Sequence, residues 1–286
     1  MEISKAEILS FCTTRIESET ADGGVATGTG FFFEFHRGHE SGKSLTAIVT
    51  NKHVIEDSVG GVFTVTMAKQ DGLPDIGNYL NVPLPKPGRM IQWIPHPDKD
   101  VDLAILPIGP FIGQVLATGA RHYIRTLTPA DIASDTDLQL VAQTESVTMP
   151  GYPQGIFDST NNQPIFRRGF CATNPSIPYN DSPEFLVDIE CHEGSSGSPV
   201  LLFDVGQWHD KWGVPHTEGR IKLLGVLYAG FIQSAQGEVI EIPIPTATRL
   251  VTEIKVPIGL AKCVSAEKLR DFERLLPDPN ITIKKP

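Results

Sequence analysis

The run Gly194-Ser-Ser-Gly-Ser-Pro199 sets serines between glycines. β-prone residues lead in from Phe185 to Ile189, and a second apolar run leads out from Pro199 to Phe203, which predicts a tight turn joining two strands. Such a turn presents Ser196 on a bend. Glycine tolerates the backbone angles required, so the amides of Gly194 and Ser196 can converge beside that hydroxyl. Two N–H donors there suit acyl transfer, whose tetrahedral intermediate carries negative charge on the former carbonyl oxygen. A serine hydroxyl alone is a weak nucleophile, so this chemistry also needs a base and a group to orient the base. The candidate base is His53, at the end of the strand-like run Leu45 to Ile55. The candidate orienting carboxylate is Asp102, which opens the apolar run Asp102-Leu-Ala-Ile-Leu106. Asp98 and Asp100 compete for that role but sit in a lysine-containing polar turn, whereas the residues after Asp102 predict burial.

Among unrelated folds that use these three residue types, the order His, Asp, Ser belongs to the chymotrypsin-like double barrel. The chain resembles the trypsin-like serine peptidases, in particular their disulfide-poor bacterial branch near the HtrA-type protease domains. The matching segments are Gly28-Thr-Gly-Phe31, Thr50-Asn-Lys-His-Val54, Asp102-Leu-Ala-Ile-Leu106, Pro150-Gly-Tyr-Pro153, Pro164-Ile-Phe-Arg-Arg-Gly169 and Gly194-Ser-Ser-Gly-Ser-Pro199, in family order. The resemblance implies an all-β chain of two antiparallel six-stranded β-barrels with a C-terminal α-helix. Residues 1–125 would form the barrel carrying His53 and Asp102, 126–262 the barrel carrying Ser196, and 263–286 the helix and tail. It implies a serine endopeptidase acting on a protein or peptide substrate through an acyl-enzyme, without cofactor or metal. Tyr228, Ala229 and Gly230 would pair with an extended substrate and wall the specificity pocket.

Glu190 stands six residues before Ser196, the offset at which such peptidases place the pocket base. A buried carboxylate there would favour Lys or Arg before the scissile bond, because a buried charge needs a partner. Glu190 could instead bond within the protein, Glu193 would add negative potential at the rim, and His192 keeps an acidic preference open. Ser195 departs from the animal pattern, which has aspartate before the nucleophile to receive a newly cut N-terminus. Zymogen cleavage of that kind is therefore not expected, and control would come from loop ordering or an activating partner protein. A catalytically silent barrel pair that binds peptides through the same groove is the alternative reading.

Bulk properties bound these expectations. In 286 residues, 40% are hydrophobic and 20% charged, which excludes a disordered chain and allows a sizeable core. The 26 glycines and 23 prolines suit many short strands. A net charge of -10 disfavours nucleic acid and anionic membrane as partners and is compatible with cationic substrates. No apolar run approaches the ~20 residues of a transmembrane helix. The N-terminal residues show no secretory pattern, and Cys12, Cys171, Cys191 and Cys263 lack metal-ligand spacing, so a cytoplasmic chain with free thiols is expected. A Cys171–Cys191 bridge is the lesser alternative. His36 and His39 have no third ligand nearby.

In chain order, the patterns predict strands at 8–19, Thr27 to Phe35 and Gly61 to Ala68. Gly28 and Gly30 would admit a neighbouring backbone or mark a bulge. Lys69 to Arg89 reads as a long loop, Met90 to Ile94 as a strand, and the first barrel should close near residue 125. Thr128 to Ala133 reads as a short helix capped by Thr128. The second barrel starts with Leu138 to Met149 and continues at Pro164 to Thr173, whose Arg167 and Arg168 suit either a substrate carboxyl group or an ion pair. A polar insert, 204–220, holds Trp208 and Trp212, for a partner or for packing on its own barrel. Lys222 to Ile232 and Val239 to Val256 supply the closing strands. Apolar positions 266, 269, 272, 275 and 276 predict a helix from Ser265 to Leu276.

Overall fold

Consecutive phenylalanines decide how the N-terminal half is layered. A computed structural model of the chain describes residues 3–37, 44–86, 92–239 and 250–276, with 232–239 and 250–256 described by their backbone. Helix α1 (Lys5–Ser10) precedes strands β1 (Thr13–Thr20), β2 (Val25–Phe35) and β3 (Leu45–Thr50). One helical turn, α2 (Lys52–Ile55), follows, then β4 (Ser58–Ala68), β5 (Pro74–Pro83), β6 (Ile94–Pro95), β7 (Ala104–Pro107) and helix α3 (Gly109–Ala117). On β2, side chains alternate between faces. Phe31, Phe33 and Phe35 enter one apolar cluster and Phe32 a second, so this strand is covered on both sides.

The strands form one seven-stranded antiparallel sheet in the order β5-β4-β1-β2-β3-β7-β6. The expected six-stranded N-terminal barrel is corrected here: among the described residues the sheet is not closed. Its terminal strand β6 has only two residues and ends in Pro95, which has no N–H to continue a ladder. The opposite edge, β5, lies where a loop was expected, and α3 was not foreseen. Helix α3 packs on the sheet through Phe111, whose ring meets Phe63 edge-on at 6.0 Å. Chain 8–19 divides between α1 and β1, because Ser4 and Glu7 form a reciprocal capping box that starts a helix. The expected strand from Met90 keeps only its end, and residues 90 and 91, like His39, lie outside the described residues.

The C-terminal half comprises α4 (Asp135–Leu140), β8 (Ser146–Gly151), β9 (Ile165–Cys171), β10 (Glu184–Asp188) and β11 (Pro199–Asp204). A small hairpin, β12 (Trp208–His209) and β13 (Pro215–His216), precedes the long strands β14 (Arg220–Val239) and β15 (Leu250–Ser265). Six of these close into a barrel in the order β10-β15-β14-β11-β8-β9. The expected helix at Thr128 is a turn instead: the Asp131 carboxylate accepts from both the backbone and the hydroxyl of Thr128. The helix starts later, where Ser134 and Asp137 cap reciprocally. Beyond β15 the expected helix is split into a 3-10 turn, Ala266–Leu269, and α5 (Arg270–Glu273), with Ser265 capping the former.

One apolar cluster joins the two halves, with Phe31, Phe33, Leu103 and Ile105 from the sheet meeting Leu201, Val226, Leu269 and Phe272 from the barrel side. A buried histidine also ties them. His96 Nδ1 accepts from the Asp98 amide at 3.1 Å, while Nε2 reaches the Lys268 carbonyl at 3.2 Å and Asp271 at 3.3 Å. The turn that carries Asp102 is thereby anchored to the C-terminal helix.

Candidate active site

Strand register brings the sequence candidates to one end of the molecule. β3 and β7 are antiparallel with Thr50 opposite Ala104. The chain leaving β3 toward His53 and the chain arriving at β7 through Asp102 therefore meet. β2 and β3 pair Phe31 with Val49, which puts Thr29 at the same end. In the barrel, Pro199 faces Val226, so the serine turn before β11 lies beside the start of the Tyr228–Gly230 segment.

Asp102 holds its neighbour twice: Oδ1 accepts from the His53 amide at 3.2 Å, and Oδ2 lies 2.5 Å from His53 Nδ1. A carboxylate only accepts, so Nδ1 is the donor of this bond, and in the neutral imidazole that leaves Nε2 with the lone pair. The His53 side chain is 44% exposed and that of Asp102 22%, so the ring can be reached from solvent while its orienting group is shielded. Asn51, at the helix N-cap, caps nothing with its side chain and instead donates to the Asp102 carbonyl at 2.7 Å. Lys52 Nζ fixes the same turn through the Asp98 carbonyl at 2.9 Å. The sequence placed His53 at a strand end, whereas the strand stops at Thr50 and the histidine rides the first turn of a helix.

Of the serines in the turn, Ser195 and Ser198 are buried, at 1% and 0% exposure. Ser196 alone of the three lines a cleft of about 700 Å³. Its carbonyl accepts from the Thr29 amide at 2.9 Å, so the turn is docked on β2. Among the described residues its hydroxyl makes no hydrogen bond, to His53 or to any other group. Gly194 (φ +86) and Gly197 (φ +88) occupy the left-handed region, and a Cβ at either would collide with backbone, of Tyr152 and Thr29 respectively.

The amides of the turn have a defined direction. The Glu193 carbonyl accepts from Gln154 N–H at 2.5 Å. In a trans peptide the next N–H points the opposite way, so Gly194 N–H is aimed away from Gln154. Among the described residues neither the Gly194 nor the Ser196 amide donates to a partner. Thr29 braces the arrangement, its hydroxyl donating to the Gly194 carbonyl at 2.8 Å and accepting from Tyr152 N–H at 3.0 Å. Gln154 completes it from a left-handed conformation (φ 52) that a non-glycine residue adopts only under constraint.

The structure places Tyr228, Ala229 and Gly230 in the same cleft as Ser196. Tyr228 donates to Glu184 at 2.6 Å; burial, reinforced by that carboxylate, pushes its hydroxyl well up. Glu190 stands elsewhere. Its side chain is 72% exposed, turned toward His192 Nε2 at 3.4 Å, and it is not among the residues lining the cleft. The expected pocket-base carboxylate is corrected accordingly: Arg167 donates to the Glu190 carbonyl, the Glu190 side chain stays in solvent, and the cleft is lined by Cys191, Leu227, Ala229 and Leu260 together with the polar His192 and Glu193. Arg168 bonds Ser146 Oγ at 3.1 Å. Of the two tryptophans, Trp208 is sandwiched between His216 and Arg220 and Trp212 is 67% exposed. The four cysteines are free, and burial pushes the Cys191 thiol up to about 12.

Thr29, Asn51, Gln154 and His96 were not singled out from sequence. Thr29 and Asn51 had a signal, their places inside the matched Gly28-Thr-Gly-Phe31 and Thr50-Asn-Lys-His-Val54. The flanking glycines there admit side chains rather than backbone, Val54 against Gly28 and Ile48 against Gly30.

Comparison with known proteins gives the same direction. No curated protein matches the sequence. The chain is similar in structure to a serine endoprotease from Yersinia pestis, at 14% identity and TM-score 0.45 over 94% of this chain and 64% of that one. It is also similar to the HtrA-type protease AlgW with tripeptide (12%, TM-score 0.48, 94% and 61%). A third likeness is the inactive form of Rv3671c from M. tuberculosis H37Rv (15%, TM-score 0.40, 94% and 92%). The chain thus spans 64% and 61% of the first two relatives. The model of the trypsin-like peptidase domain matches residues 28–208, more than half of the chain, so the protein belongs to the trypsin-like peptidase family.

Proposed function

We propose that this chain is a serine endopeptidase in which Ser196 attacks a peptide carbonyl, His53 shuttles the proton and Asp102 orients the imidazole. The observation that carries the reading is the doubly held His53–Asp102 pair, at the same end of the fold as the one serine of the turn that faces the cleft. In this reading Nε2 takes the Ser196 proton as Oγ bonds to the carbonyl carbon, then returns it to the leaving amine, releasing one peptide and leaving an acyl-enzyme. Water repeats the cycle and restores Ser196. Proton transfer of this kind contributes about 10² to 10⁴ in rate, and the unpaired amides of Gly194 and Ser196 would hold the oxyanion.

In this reading the apolar walls Cys191, Leu227, Ala229 and Leu260 take the body of the side chain before the scissile bond, while His192 and Glu193 add polar and negative groups to the same lining. The free thiols fit a reducing compartment such as the cytoplasm. The test is labelling with a fluorophosphonate probe together with cleavage of a peptide library. Labelling and cleavage that vanish in Ser196→Ala are expected, with Glu190→Ala leaving the preference unchanged. Absence of labelling in the wild type would leave a catalytically silent peptide-binding module as the reading.

A further inference from the structure

Both strands of the β14–β15 pair outrun the barrel. β11 leaves β14 at the Pro199–Val226 pair, and β10 covers β15 only from Leu260 to Val264. The two long strands nevertheless stay paired from Ile232 opposite Pro257 to Val239 opposite Leu250. Register shifts fall between Leu227 and Ala229 and between Gly230 and Ile232, where the barrel strands become a two-stranded ribbon. Among the described residues no strand pairs with the other edge of β14 from Tyr228 to Val239.

That edge begins at the reactive serine. Gly197 N–H donates to the Leu227 carbonyl at 2.8 Å and Leu227 N–H to the Ser198 carbonyl at 3.0 Å, so the last bonds closing this edge belong to the serine turn itself. An open edge is a template for another chain, and proteins usually blunt such edges with proline and charge. The ribbon does so on one side only. β15 carries Glu253, Lys255 and Pro257 along the segment beyond β10, whereas β14 from Phe231 to Val239 has no proline and a single charged residue, Glu238. A ribbon of two strands is marginal in water, and a third strand stabilises it.

We propose that the free edge of β14 is an extended exosite, which takes the substrate polypeptide as an added strand running from the scissile bond out along the ribbon. This rests on the reading of Ser196 as nucleophile. At ~3.3 Å per residue the edge from Tyr228 to Val239 is about 40 Å long and matches a partner strand of roughly twelve residues. Recognition there is through backbone hydrogen bonds, with side chains selected only weakly. The substrate class is therefore a polypeptide that offers a long unpaired segment, such as an unfolded chain or a disordered region, and not a short exposed loop.

The test uses peptides with one fixed cleavage sequence, lengthened stepwise on either side. Hydrolysis by the full chain is expected to rise roughly tenfold or more in kcat/KM as one side grows from about three to about ten residues. In a trimmed chain, a short Gly-Ser turn replaces residues 233–256 and joins Ile232 to Pro257. It should cleave the shortest peptide like the wild type and lose the gain from length. A half-trimmed chain, closed between Gln236 and Glu253, should keep part of it. Binding of the same peptides to Ser196→Ala, read by fluorescence anisotropy, separates the two claims. Length-dependent binding that the trim abolishes, without hydrolysis by the wild type, would sustain the exosite and remove the nucleophile. Length-independent binding and hydrolysis, or a trimmed chain that keeps the advantage of long peptides, would overturn the exosite.

Discussion

At the scale of single residues, the division of labour around His53 turns on which nitrogen carries the proton. Asp102→Asn would keep an oxygen for the His53 amide but turn an NH₂ toward Nδ1, forcing the proton onto Nε2 and removing the base. We expect kcat to fall about 10⁴-fold with Tm nearly unchanged, measured by single-turnover hydrolysis and thermal melts. Cys191 also lines the cleft and is the competing nucleophile to dismiss. With its thiol pushed up to about 12, roughly one molecule in 10⁴ is ionised at pH 8. Iodoacetamide at that pH is expected to leave the hydrolysis rate unchanged, and loss of activity in step with Cys191 alkylation would assign the chemistry to the thiol.

Elements act here mainly by docking one loop on another. β2 serves both halves: its backbone pairs with β1 and β3, and Thr29, in the part of β2 that β3 leaves uncovered, holds the serine turn through its amide and its hydroxyl. Thr29→Val keeps the shape and deletes the hydroxyl, leaving the Tyr152 N–H and Gly194 carbonyl buried without that partner, at about 1–3 kcal/mol for each unsatisfied group. We expect a lowered Tm and a fall in kcat larger than any change in KM, because the Gly194 amide loses its brace while the cleft walls stay in place. Equal losses in kcat and Tm-matched folded fraction would instead make Thr29 a stability residue only.

For the whole molecule, charge is the property that extends past the cleft. The net charge is -10, and Glu193 lines the cleft while Glu190 is exposed close by. The field should draw in cationic peptides beyond what the pocket lining itself selects. As the screening length shrinks from about 30 Å at 0.01 M salt to about 8 Å at 0.15 M, kcat/KM for a Lys-rich peptide is expected to fall several-fold and for a neutral peptide to stay level. A salt effect of equal size on both would point away from electrostatic steering. Such steering would complement backbone recognition along β14, since neither depends on a particular side chain at the scissile bond.

Much of the site was legible in the sequence because local pattern carries it. Glycines at 194 and 197 are required where the backbone turns left-handed, the apolar run after Asp102 marks a carboxylate at a strand mouth, and alternation marks β2. Other features depend on groups far apart in the chain. Glu190 has the right offset from Ser196, yet whether its carboxylate enters the pocket depends on how the strand carrying Arg167, which bonds the Glu190 carbonyl across 23 residues, is placed against it. His96 looks like any turn histidine until Lys268 and Asp271 arrive from the far end of the chain. Closure of the N-terminal sheet likewise depended on whether its edge strands could reach each other, which strand count alone does not set. The sequence by itself determined the serine turn, the strand alternation of β2 and which groups are candidates for the chemistry, because these follow from one residue and its neighbours. Only the tertiary structure decided which carboxylate faces the cleft, which amides are left unpaired and which strand edge is open, because those are set by register between segments that local sequence does not encode.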